Sequence, residues 1–301
     1  MENAFLSDKS ALIEEVRHTA VFVDKMQRDF PFQLQRAEEV RGTVTIEVPE
    51  GTEVIVPVAG TEYMQELTVE TASTPPAAAY LGKWAFSYFR FDESVTLRAE
   101  DDSPYIVGTS IRIGHVPHRR KLVLNILVDG LSWPAVRESF AAWMPETAQF
   151  FARGTVFDQH FSTYEYTYSA LPAIETGRCP YHTQVFNEQN SHPLLPAHRT
   201  LSECMKDLGY YCTTVMASGD GIYSGALRGH DRILTHTGNL PCHEGVERTI
   251  RHLEAFDEVD QFLFLHCADV HPWNGVGYKF AAEVEMHLPP AERLFPLEKT
   301  G

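Results

Sequence analysis

The sequence predicts an α/β protein with a mostly parallel sheet flanked by helices, preceded by a small β-sandwich-like module with an N-terminal helix. Three observations predict this fold class. Residues 8–29 place apolar side chains at helical spacing. Residues 31–116 contain short apolar runs separated by turn residues. From Lys121 onward, apolar strands alternate with amphipathic helices. We therefore predict an accessory domain over residues 1–118 and an α/β domain over residues 119–301.

The β-rich pattern is clearest between residues 42 and 58. β-branched residues recur at every second position on both sides of a Pro-Glu-Gly turn, which is typical of a hairpin. They are Val44, Ile46 and Val48 before the turn and Val54, Val56 and Val58 after it. Four further strand-like runs follow at roughly the 8–12-residue spacing of a β-sandwich. These runs are MQELTVET, KWAFSYFRF, SVTLRAE and YIVGTSIRI.

The α/β pattern begins with the run KLVLNILV at residues 121–128. This run is apolar without alternation, as expected of a parallel strand covered on both faces. Later strand-like runs are GTVFDQHF, CTTVMAS and QFLFLHC, with helical segments between them. Ligands of such sheets bind at the carboxyl ends of the strands, so these ends are where we expect a functional site.

Three polar segments follow predicted strands or begin predicted helices. Asp129 comes directly after the first strand, beside a glycine, and is either a metal ligand or the cap of the following helix. Thr167 is either a helix cap, a role that Ser169 shares, or a hydroxyl activated by the positive end of a helix dipole. Asp269 and His271 follow the last strand and bind a metal or an anion, or form a structural pair.

Composition excludes several classes of function. The chain has 301 residues with 25 Lys and Arg against 41 Asp and Glu, a net charge of −16. Such a surface repels nucleic acid and anionic membranes. No apolar stretch reaches the length of a membrane span, and the acidic N-terminus does not resemble a secretory signal. We therefore expect a cytoplasmic protein. Its five unpatterned cysteines are expected to be free, buried thiols.

The order of these segments resembles the sulfatase branch of the alkaline phosphatase superfamily, over residues 121–273. The pattern is most specific at residues 152–157 (ARGTVF) and 176–182 (TGRCPYH). The resemblance implies an α/β fold and a metal-dependent site for phosphate or sulfate esters. Its divalent metal would be Ca²⁺, Mn²⁺ or Zn²⁺. Its substrate would be a small anionic ester or a glycan or lipid head group.

The resemblance assigns roles residue by residue. Asp129 matches the metal-ligand aspartate. Thr167 matches the nucleophile, which also binds the metal, because it stands nine residues before Thr176. Asp269 and His271 match the element whose histidine contacts the substrate anion. Arg178 and His182 lie just beyond the nucleophile helix and are further candidates for substrate binding.

The nucleophile position departs from the sulfatase signature. Threonine cannot be oxidised to the formylglycine that sulfatases use, and Leu171 stands where the signature has arginine. Within the superfamily, a threonine nucleophile instead resembles that of phosphodiesterases and phosphoethanolamine or phosphoglycerol transferases. The sequence therefore favours a phosphothreonine intermediate, which water or an alcohol resolves.

The second departure lies after residue 273, where the family's later Asp-His or Asp-Asn pair of metal ligands has no counterpart. We therefore expect the chain to be the N-terminal portion of a longer protein, with the α/β domain incomplete at its C-terminus. The alternative is a non-catalytic sulfatase-like scaffold that binds an anionic or glycan ligand.

Overall fold

The computed structural model describes residues 11–15, 31–187, 193–236 and 240–271. Within these ranges the chain forms fourteen strands and eight helices. The strands are β1 (Ala11–Glu15), β2 (Pro31–Val40), β3 (Thr43–Ile46), β4 (Glu53–Gly60), β5 (Gln65–Thr71), β6 (Ala77–Leu81), β7 (Ser87–Phe91), β8 (Val95–Ala99), β9 (Tyr105–Gly108), β10 (Ile111–Ile113), β11 (Leu122–Val128), β12 (Tyr211–Val215), β13 (Arg232–His236) and β14 (Gln261–Cys267).

The helices are short, and six of the eight precede β12. They are α1 (Trp133–Val136), α2 (Phe140–Trp143), α3 (Pro145–Phe151), α4 (Thr167–Thr176), α5 (Pro180–Thr183), α6 (Leu201–Asp207), α7 (Asp220–Tyr223) and α8 (Cys242–Ala255). None of the helices in the described ranges has the length and apolar character needed to cross a bilayer.

A single large sheet contains strands from both halves of the chain. Its order is β10-β4-β9-β2-β13-β12-β14-β11, with β1 also pairing with β2 and β7 with β4. Only β13, β12, β14 and β11 pair with one another in parallel. The pairs made by β2 and by the other N-terminal strands of this sheet are antiparallel. The division of the chain near residue 118 stays a prediction.

The expectation of a mostly parallel α/β sheet is therefore wrong. The described chain is rich in strands and combines a mixed sheet with a second, antiparallel sheet of order β3-β8-β5-β6. The physical reason is that β2 pairs antiparallel with β13 and with β9, so that β2 and the N-terminal strands of the same sheet extend the parallel region.

The N-terminal helix expected over residues 8–29 is also corrected. Residues 11–15 form strand β1, which pairs antiparallel with β2, Ala11 opposite Ala37 and Glu15 opposite Gln33. The rest of that predicted helix lies outside the described residues. Pairing with β2 satisfies the backbone groups of β1, and such tertiary pairing overrides a weak local preference for helix.

The β-sandwich-like character expected of the N-terminal region is confirmed. Its core includes Ile46, Leu67 and Leu97 from the second sheet together with Val56 and Val58 from the large sheet. The hairpin expected over residues 42–58 is wrong, however. β3 pairs with β8 in the second sheet, whereas β4 belongs to the large sheet. The turn between them thus carries the chain from one layer of the sandwich to the other.

Strand β11 differs from the expectation that both its faces are covered. It lies at the end of the large sheet, where β14 is its neighbour. Along it, Leu122, Leu124 and Ile126 are 41%, 39% and 57% exposed. The alternate residues are only half-buried. The continuous apolar run thus belongs to a strand at the border of the described sheet.

Two buried histidines make the stability of the fold sensitive to acid. His230 is fully buried against Phe262, and His252 is 8% exposed. Burial, with the nearby charges of Arg36 and Lys206, lowers the pKa of His230 to about 3. Burial and the charge of Arg232 lower the pKa of His252 to about 3. Both imidazoles therefore stay neutral in the folded protein.

We expect the free energy of unfolding to fall as the pH is lowered from 6.5 towards 3. In that window the unfolded chain, whose histidines have a pKa near 6.5, binds more protons than the folded chain. At pH 5 each buried histidine lowers the free energy of unfolding by about 2 kcal/mol relative to neutral pH. Urea unfolding at pH 7, 6 and 5 measures this slope. His230→Phe should reduce the slope, and exposed His160→Phe should leave it unchanged. A slope unaltered by His230→Phe would contradict the assignment.

Candidate active site

The site is built where two parallel strands end side by side. Strand β11 pairs in parallel with β14, with Leu127 opposite His266 and Val128 opposite Cys267. Asp129 follows directly, and its backbone N–H donates a hydrogen bond of 2.8 Å to the Cys267 carbonyl oxygen. Gly130 then turns the chain away with a φ of 77°, a value that glycine adopts without strain. The register of the two strands thus places Asp129 beside the end of β14.

Thr167 is the first residue of helix α4 and faces Asp129. Its hydroxyl donates a hydrogen bond of 2.6 Å to Asp129 Oδ2. The residue that caps the helix is Tyr166, and no side-chain hydrogen bond caps this helix. The hydroxyl of Ser169 is buried and donates to the Phe186 carbonyl oxygen instead. Neither hydroxyl therefore acts as the cap of α4, and that of Thr167 is directed to the carboxylate.

Asp129 does not cap the following helix either. Helix α1 begins after Ser132 without a side-chain cap. The carboxylate of Asp129 instead accepts hydrogen bonds from Thr167 and from His266, whose Nε2 lies 3.1 Å from the same Oδ2 atom. One carboxylate oxygen therefore joins the hydroxyl at the start of α4 to an imidazole of β14.

His266 is the site residue that sequence reasoning missed. It lies inside strand β14 and is only 2% exposed. In the sequence, the polar residues after this strand, Asp269 and His271, are the evident candidates, because the strand itself is mostly apolar. The sequence signal that would have found it is a histidine next to the last residue of the apolar run QFLFLHC. In the structure this histidine lies opposite Leu127 in the parallel pair of β14 and β11.

The electrostatics of the site favour a charged Asp129. Burial raises the pKa of this carboxyl group. The hydrogen bonds from His266 and Thr167 and the charges of His266 and His271 lower it more, so that its pKa lies below the usual value. Asp129 is therefore ionised at neutral pH. It holds the hydroxyl of Thr167 in one orientation and can accept its proton.

The other residues predicted for the site lie in different surroundings. Asp269 is exposed, and its Oδ2 accepts the backbone N–H of Cys242 at the start of α8, at 2.8 Å. His271 is half-buried and acts on Asp129 through its charge. Arg178 and His182 are exposed. In the described ranges, the hydrogen bonds of Asp269, Arg178 and His182 do not include Asp129 or Thr167.

The residues around Asp129 offer only part of a metal site. In the part of the chain that the structure describes, no group of three or more His, Cys, Asp or Glu side chains is arranged to hold a metal ion. Asp129 and Thr167 supply a carboxylate and a hydroxyl. A hard divalent ion takes about six oxygen ligands. This pair alone therefore does not fit a complete cation site.

The arrangement suits a hydroxyl nucleophile. The hydroxyl of Thr167 lies at the N-terminus of a ten-residue helix, where the helix dipole stabilises negative charge. Its proton already points to an ionised carboxylate, and that carboxylate is fixed by a buried histidine. The hydroxyl and the histidine thus each lie within hydrogen-bonding distance of the carboxylate, an arrangement that a hydroxyl nucleophile with a proton acceptor and an orienting group would use.

Solved structures similar to this chain have low identity. One is a de novo designed double-stranded β-helix, 18% identical over 27% of this chain and 94% of that chain, with a TM-score of 0.15. Another is the capsular polysaccharide assembling protein CapF from Staphylococcus aureus, 6% identical over 32% of this chain and 29% of that chain, with a TM-score of 0.19. At such TM-scores the likeness supports no conclusion.

A family two carbohydrate esterase from Cellvibrio japonicus is 9% identical over 86% of this chain and 76% of that chain, with a TM-score of 0.17, which is equally uninformative. No curated protein matches the chain. Residues 121–240, which include both Asp129 and Thr167, match the family model described as Sulfatase.

Proposed function

We propose that the protein hydrolyses or transfers phosphate esters, or less favourably sulfate esters, with Thr167 as the nucleophile. The observation that carries this proposal is the 2.6 Å hydrogen bond from the Thr167 hydroxyl to Asp129, inside the segment that matches the Sulfatase family model. The family match supports a sulfatase-like hydrolase. The threonine favours phosphate, because a threonine cannot form the aldehyde hydrate that attacks sulfate.

The proposed reaction has two steps. Thr167 Oγ attacks phosphorus in line with the leaving alcohol, a P–O bond to Thr167 forms, and the P–O bond of the ester breaks. The proton of Thr167 passes to Asp129 Oδ2 and from there to the leaving alkoxide, which departs as the alcohol. Water or an acceptor alcohol then attacks the phosphothreonine and gives its proton to Asp129. The P–O bond to Thr167 breaks, the Thr167 oxygen takes the proton back from Asp129, and the product is phosphate or a new ester.

The substrate in this proposal is a small anionic ester, for example one carried by a glycan or lipid head group. The net charge of −16 repels a polyanion such as nucleic acid, whereas a single phosphate needs only local neutralisation. Asp129 and Thr167 would hold a divalent cation, Ca²⁺, Mn²⁺ or Zn²⁺, together with further ligands beyond this pair. When bound, the cation neutralises charge on the ester oxygens.

Turnover assays test the proposal directly. We expect release of nitrophenol from p-nitrophenyl phosphate or bis(p-nitrophenyl) phosphate and little from p-nitrophenyl sulfate. The assays are run with each of the three cations and with a chelator. Turnover of none of these esters by the full chain, with any cation, would count against an enzyme. Calorimetric binding of inorganic phosphate without turnover would instead favour a binding scaffold.

Asp129→Asn tests the proposed contact with the cation. Removing the charge should weaken binding of Mn²⁺ by at least about tenfold, because a carboxylate is a much better ligand for a hard cation than an amide. Isothermal titration calorimetry measures the affinity. Asp158→Asn is the matched control, because Asp158 is an exposed aspartate. Equal Mn²⁺ affinity in wild type and Asp129→Asn would remove Asp129 from the cation site.

A further inference from the structure

Two of the five cysteines lie next to each other. Cys242 is the first residue of helix α8, and Cys267 is the last residue of strand β14. Their sulfur atoms are 3.2 Å apart. The expectation that all cysteines are buried is wrong, because Cys179 and Cys204 are exposed. Cys212 is buried, and its sulfur contacts the carbonyl oxygens of Ser202 and Tyr210.

The two neighbouring thiols have different surroundings. Cys267 is 3% exposed and packs among leucine and valine side chains from β12, β13 and β14. Cys242 is only partly buried and lines an open surface cavity of about 690 Å³, so it is the more accessible of the two to an oxidant in solvent. The hydrogen bond between the sulfurs lowers the pKa of Cys242 and raises that of Cys267. Because Cys242 is the more exposed of the two, it is the thiol that reacts with the oxidant.

We propose that Cys242 and Cys267 are a redox pair that forms a reversible disulfide on exposure to hydrogen peroxide. The Cys242 thiolate attacks one peroxide oxygen, the O–O bond breaks, and sulfenic acid and hydroxide form. The Cys267 sulfur then attacks the Cys242 sulfur, the S–S bond forms, the S–O bond breaks, and water leaves. In total, two thiols are oxidised to a disulfide while one peroxide is reduced to two waters.

Little movement is needed for this bond. The sulfurs must approach from 3.2 Å to about 2.05 Å, a change that rotation of the two side chains can supply. Both cysteines lie at the ends of regular elements, and the N-terminus of α8 is already tied to the segment after β14 by the bond from Cys242 N–H to Asp269. The backbone is therefore positioned for the cross-link before oxidation.

The position of the pair links it to the candidate site. Cys267 follows His266 directly, and its carbonyl oxygen accepts the backbone N–H of Asp129. A disulfide here fixes the end of β14 to α8. The cross-link therefore restrains the strand end from which the imidazole of His266 reaches Asp129.

Intact mass spectrometry of the full chain under denaturing conditions tests the proposal. After treatment with hydrogen peroxide, we expect a loss of about 2 Da that dithiothreitol reverses, and a non-reduced digest that joins the peptides of Cys242 and Cys267. Cys204→Ser, the matched control, should lose the same mass. In Cys267→Ser the loss should disappear, and dimedone should label Cys242. If that variant does not fold, Cys242→Ser should likewise abolish the loss.

Two results would overturn the redox pair. One is a disulfide that joins other cysteines while Cys242 and Cys267 remain alkylatable. The other is complete absence of the mass loss at peroxide concentrations that oxidise Cys242 to sulfinic acid. Neither readout requires turnover, so failure of the redox pair and failure of the proposed ester chemistry are distinguished.

Discussion

Thr167→Ala is expected to lower turnover of the phosphate ester by about 10³-fold or more while leaving the fold intact, since losses of this size follow removal of a catalytic nucleophile. The hydroxyl is the atom that attacks phosphorus, and alanine has no group to replace it. Thr167 is half-buried at the start of α4, and the loss of its hydroxyl leaves the backbone hydrogen bonds of the helix in place. Steady-state kinetics with the best nitrophenyl ester, alongside circular dichroism, measure the effect.

Two further variants sharpen this test. Thr167→Ser keeps a hydroxyl and should retain turnover, whereas exposed Thr163→Ala should behave as wild type. In the wild type, rapid acid quench should trap a phosphoryl group on the peptide that contains Thr167. Turnover by Thr167→Ala at the wild-type rate, or a phosphoryl group on another residue, would mean that Thr167 is not the nucleophile.

Lys206→Met is expected to lower the free energy of unfolding by about 3–5 kcal/mol, the usual cost of leaving one charge of a buried ion pair uncompensated. Lys206 on α6 forms an ion pair with Asp231, and the two side chains are only 8% and 4% exposed. Asp231 Oδ2 also accepts the backbone N–H of Cys212 at 3.2 Å, which ties the loop before β13 to β12. Urea unfolding at neutral pH measures the change.

Matched variants separate the ion pair from general effects of methionine. Lys83 is exposed, so Lys83→Met should change the unfolding free energy by less than about 0.5 kcal/mol. The double variant Lys206→Met with Asp231→Leu removes both charges and should recover part of the loss. A double variant as unstable as the sum of the two single variants would show that the two charges do not interact.

The meeting of Asp129 and Thr167 could be predicted from the sequence because ligand-binding residues of a parallel sheet gather where its strands end and its helices begin. A parallel strand pair brings the residues after β11 and β14 together, and a helix that starts at Thr167 presents its hydroxyl there. His266 was missed for a local reason. It lies within the buried strand itself, and one polar residue in a mostly apolar run does not stand out as a site residue. In the structure this residue contacts Asp129.

The arrangement of the sheet could not be predicted, because it depends on pairs distant in sequence. Nothing local in residues 11–15 distinguishes a strand from a helix. Their conformation follows from the edge that β2 offers. The antiparallel pairing of β2 with β13 joins N-terminal strands to the parallel strands in one mixed sheet. The burial of the Lys206 charge could likewise not be predicted, since its partner Asp231 lies 25 residues away in the sequence, in the loop before β13.

The pairing of β2 with β13 also has a consequence for how the chain is made. Gln33 and Arg232, which contact each other across this pair, are 199 residues apart. During synthesis, the edge of β2 that pairs with β13 therefore has no partner until most of the described chain has left the ribosome. A strand edge that stays open for that time can pair with the edge of another nascent chain. Slow translation or a crowded polysome thus favours misassembly at β2, before the residues of the candidate site have met.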